Sequence, residues 1–80
     1  MVYDFYKEIE IFQDLLVANG LEEFKNKLQF HIETGSTASE ILMPIRFILK
    51  ELCDVPLVDK SVKDKAAEII SALNTLLDGS

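Results

Sequence analysis

Residues 37–53 read TASEILMPIRFILKELC, and this stretch decides the fold class. It opens on Thr37-Ala38-Ser39-Glu40, the pattern of a capping box. There the Thr hydroxyl and the Glu carboxylate satisfy amides that the start of a helix leaves without partners. Behind it, Ile41, Ile45, Ile48 and Leu52 recur at helical spacing, and Leu42, Leu49 and Cys53 form a second stripe beside them. Only Arg46, Lys50 and Glu51 interrupt this apolar surface, so the helix is expected to be central. Pro44 lacks a backbone N–H and is expected to bend it. Asp54-Val55-Pro56 ends it, because the residue before a proline avoids the α region.

The same periodicity extends outward on both sides. Upstream, from about Tyr3 to Ala18, Phe5, Ile9, Phe12 and Leu16 share one face, widened by Tyr6 and Leu15. Asn19-Gly20 stops that helix, because glycine tolerates the left-handed conformation after the last turn. From about Leu21 to Glu33, Leu21, Phe24, Leu28 and Ile32 repeat the pattern, with Gly35 as the next stop. Downstream, a helix starts near Asp59 to Ser61, with Ser61-Val62-Lys63-Asp64 as a capping signal. Its stripe is Val62, Ala66, Ile69, Leu73 and Leu76. No segment alternates as a strand does. The expectation is an all-α single domain over residues 1–80: a compact four-helix fold, read as an up-down bundle with short connections.

Composition bounds the function. Of 80 residues, 49% are apolar, and fourteen Asp and Glu against eight Lys and Arg give a net charge of −6. Such acidity argues against binding phosphate-rich nucleic acid or an anionic membrane surface. The longest apolar stretch, Ile41 to Leu49, holds Pro44 and Arg46 and falls far short of a bilayer span. The N-terminal residues are acidic where a secretory signal would be basic, and Cys53 is the single cysteine, so a cytoplasmic location is expected. A mean hydropathy of +0.17 is high for a small acidic domain, which buries only about 60% of its unfolded surface.

Candidate chemistry is sparse. His31, the one histidine, sits at the edge of an apolar helix face and reads as a packed side chain. Cys53 ends the most apolar helix and reads as a small hydrophobe rather than a nucleophile. The carboxylate pairs Glu10/Asp14 and Asp64/Glu68 read as solvated faces, without the Glu-x-x-His pattern of di-metal bundles. No cofactor, metal site or catalytic group is expected. The helix-turn-helix reading of the second and third segments fails, because Ile41, Leu42, Met43 and Pro44 stand where base-reading groups belong.

Two excesses stand out instead. Residues 1–24 hold six acids and one base, so −5 of the −6 lies there. Tyr3, Ile11 and Phe30 fall off the core stripes. With Lys7, Glu10 and Asp14, they form the candidate partner-binding set. The expected function is a small non-catalytic interaction domain. It would either pair with a second copy or bind and inhibit a basic partner, as immunity proteins and antitoxins do; a nucleic-acid mimic is one form of the latter.

In outline the chain also resembles acyl and peptidyl carrier proteins: short, acidic, four-helical, with serines opening the third helix within Gly35 to Leu57. That resemblance implies a phosphopantetheine-bearing serine in an Asp-Ser-Leu motif. Here Ser36 is followed by Thr37-Ala38 and Ser39 by Glu40-Ile41, so the motif is absent.

Overall fold

In the structure, a computed structural model in which residues 4–78 are described, the three turn signals fall between four helices. These are α1 (Phe5–Ala18), α2 (Glu22–Thr34), α3 (Ala38–Cys53) and α4 (Lys60–Asp78). The expected boundaries are met to within a residue or two at each end that is described. The radius of gyration is 11.9 Å, against about 11.6 Å for a compact chain of this length.

Local chemistry accounts for the ends. Asp4 caps α1 by accepting from the Lys7 N–H at 3.1 Å. At the other end of α1, Gly20 has φ +72°, its N–H reaches the Val17 carbonyl at 3.1 Å and the Leu21 N–H reaches that of Leu16 at 2.8 Å. This is the Schellman closure that the Asn19-Gly20 pair anticipates. Gly35 stops α2 for another reason. Its backbone is extended (φ −75°, ψ 143°), but a Cβ there would strike the Ile41 side chain and crowd the backbone at His31 and Ile41. At the start of α3 the Thr37 hydroxyl accepts from the Glu40 N–H at 3.2 Å. The Glu40 carboxylate accepts from the Ser36 N–H, one residue earlier than a regular capping box has it. The start of α4 differs from the capping signal read at Ser61: Lys60 is its first residue, and the Asp59 carbonyl accepts from Val62 and Lys63.

The helices pack as a ring. α1 packs on α2, α2 on α3, α3 on α4, and α4 returns to α1, while the backbones of the diagonal pairs α1/α3 and α2/α4 stay apart. The core takes Ile9, Phe12 and Leu16 from α1, Leu28 from α2, and Val62, Ala66, Ile69 and Leu73 from α4. α3 gives the largest share, Leu42, Ile45, Ile48, Leu49 and Leu52, and runs unbroken through Pro44. It is nonetheless one side of the ring, flanked by α2 and α4, and its opposite face is open. A regular up-down bundle would set the first turn of α1 against the last turns of α4. Here Glu8 in the first turn of α1 pairs with Lys65, near the start of α4.

One flank residue and one stripe residue lie outside the core, and one polar residue lies in it. Tyr6 is exposed, while Gln13 is buried at 7% exposure with its amide donating to the Lys25 carbonyl and the Gln29 side chain of α2. Leu76 is exposed, past the end of the α4 stripe that Leu73 closes.

Candidate functional site

The helical repeat that buries one stripe must present whatever lies opposite it. On α3 the residues opposite Ile41, Ile45 and Leu52 are Met43, Phe47 and Lys50. Phe47 is 69% exposed and Met43 52% exposed. On α2 the residue opposite Leu28 is Phe30, 60% exposed. Phe30 and Phe47 line one open groove of about 550 Å³ between α2 and α3, together with Ile48 and His31. The His31 ring meets that of Phe30 edge-on, centroids 5.3 Å apart.

The groove has a polar rim of Glu23, Asn26, Lys27 and Glu51. Lys27 and Glu51 bridge it with an ion pair of 3.3 Å. The Lys27 ammonium also lies 5.1 Å from the centre of the Phe24 ring. Phe47 also lines a smaller depression with Met43, Arg46 and Lys50, and another with Lys50, Glu51 and Asp54. Arg46 has its guanidinium on Asn74 and Asp78 of α4.

Fully burying a phenylalanine contributes about 1.5–3 kcal/mol, so leaving two of them more than half exposed forgoes a sizeable fraction of the stability of a domain this size, about 4–12 kcal/mol. Isolated exposed hydrophobics need no explanation, but adjacent ones forming a patch with a polar rim mark a binding surface.

The sequence-derived candidates divide. Lys7, Glu10, Ile11 and Asp14 are exposed on the outer side of α1, Ile11 at 49%. Tyr3 lies outside the described residues. Phe30 does not join them; it belongs to the α2–α3 groove, which no α1 residue lines. Phe47 and Met43 were missed because α3 reads as apolar all round. The signal was present in the same helical wheel, where both fall opposite the core stripe and beside Lys50.

Burial, reinforced by the charge of Asp54 and only partly offset by Lys63, pushes the Cys53 thiol above its usual range, away from nucleophilic thiolate. Among the described residues no cluster of three or more His, Cys, Asp or Glu could hold a metal ion, and no helix is long and apolar enough to cross a membrane. Ser36 and Ser39 are exposed around the α3 cap, where the Ser36 N–H is already bonded to Glu40. Asp64 pairs with Lys60 and Glu68 with Lys65. No family model, no curated protein and no solved structure matches this chain.

Proposed function

We propose that this chain is a non-catalytic protein-interaction domain. The observation that carries the reading is the placement of Phe30 and Phe47, two large aromatics outside a complete core and lining one groove. The acidic outer side of α1, with Glu10, Ile11 and Asp14, supports a second contact of a different kind. That surface suits a basic protein, which the −5 of residues 1–24 would steer and hold, in the manner of an immunity protein or antitoxin.

The test is affinity capture from extract of the native host with three baits: the natural sequence, an E10K/D14K variant and an F30S/F47S variant. The expected result is a protein held by the natural sequence and lost with one variant whose helical circular dichroism is unchanged. The reading fails if the natural chain sediments as a monomer at high micromolar concentration and all three baits retain the same proteins.

A further inference from the structure

Phe47, 69% exposed, forms part of the wall of the α2–α3 groove and of the depression that it lines with Met43 and Lys50. An exposed ring on the wall of a concavity is the self-complementary shape that a twofold contact requires, because the same patch meets itself.

Charge selects the partner. Each copy carries −6, and contact through α1 would set residues 1–24, net −5, against themselves. The surface around Phe47 is different. Its charged lining residues are Glu23, Glu51 and Asp54 against Lys27, Arg46 and Lys50, three of each sign. Lys27 and Glu51 already satisfy one another, and Arg46 is committed to Asp78. Lys50, Glu23 and Asp54 form no ion pair among the described residues. A basic partner gains nothing from a balanced surface, and a strongly acidic one is repelled by the rest of the chain. A second copy finds an apolar centre and a rim where an unpaired lysine can face unpaired carboxylates.

We infer that the chain forms a twofold homodimer through the α2–α3 face, with Phe47 of each copy seated in the other's Phe30–Ile48 groove and Lys50 facing the acids of the opposite rim. This deepens the interaction-domain reading and rests on it.

Sedimentation equilibrium on the natural chain, on F47D and on I11D tests the inference. Expected are a dimer for the natural chain and I11D and a monomer for F47D, with the same helical circular dichroism in all three. A second measurement needs no variant: isotope-filtered NOEs in a mixture of labelled and unlabelled natural chain, expected between the Phe47 ring and Ile48 across copies. A monomeric natural chain, a dimer that survives F47D, or loss of the dimer with I11D overturns the inference. If the natural chain is monomeric yet captures a host protein that F30S/F47S loses, the interaction-domain reading stands and only the second copy is removed.

Discussion

Glu8 and Lys65 form an ion pair of 3.0 Å that ties the first turn of α1 to the N-terminal part of α4 and closes the ring of helices. Lys65 also holds Glu68, at 2.8 Å, on its own helix. The carboxylate of Glu68 first, and that of Glu8 next, accept hydrogen bonds from the ammonium and raise its pKa above the ordinary lysine value. A raised folded-state pKa means that the folded chain holds this proton more tightly than the unfolded one. The stabilisation is therefore full below the unfolded value, roughly pH 10.4, and is lost as pH climbs through the folded one. Denaturant midpoints across the alkaline range should show this fall in the natural chain and lose much of it in Lys65→Met. An E8Q/K65M double-mutant cycle at neutral pH should give a coupling of about 0.2–1 kcal/mol, since both side chains are partly exposed.

Gly20 and Gly35 should respond differently to substitution. Gly20 has positive φ and open space around it, so Ala should cost about 1 kcal/mol and Asn, which tolerates that conformation, less. At Gly35 the backbone is ordinary and the obstacle is the Ile41 side chain with the nearby backbone. Ala there should cost about 1–3 kcal/mol, and Asn should bring no relief. Urea melts of the four variants decide it; relief by Asn at Gly35 would contradict the crowding.

Phe12 and Phe47 test how the apolar residues divide between core and surface. Phe12 is fully buried and Phe47 largely exposed. Phe12→Ala should remove about 3–5 kcal/mol, enough to unfold much of a domain this small. Phe47→Ala should shift the monomer by no more than about 0.5 kcal/mol. Thermal melts at low concentration, where association is negligible, give the comparison.

Cys53 should alkylate slowly at neutral pH and accelerate as the pH rises past the ordinary thiol range, because burial and Asp54 hold its pKa up. Iodoacetamide labelling followed by intact mass measures this. A neutral-pH rate equal to that of an unstructured cysteine peptide would contradict it.

Ionic strength separates the two modes of binding. Two copies at −6 repel beyond their shared face, so salt should tighten the homodimer. A basic partner on α1 should weaken under the same change. Sedimentation in low and high salt reads the first, and titration calorimetry with a captured partner reads the second.

Read alone, the sequence defines the helices and most of their inner faces. Apolar spacing, Thr37-Ala38-Ser39-Glu40 and Asn19-Gly20 are local signals, and backbone hydrogen bonding and capping act over a few residues, so the boundaries were legible. It also placed Lys7, Glu10, Ile11 and Asp14 outside the core stripe of α1, where the structure exposes them. Which helices become neighbours is set by long-range packing. The ring sets α3 at one side, where its apolar back becomes surface, and brings Phe30 of α2 and Phe47 to the same groove. It also explains Gly35, whose missing side chain answers to Ile41 across a turn. A helical wheel shows which side of each helix is apolar; it cannot show whether a neighbour covers it, because that depends on how long-range packing orders the four helices.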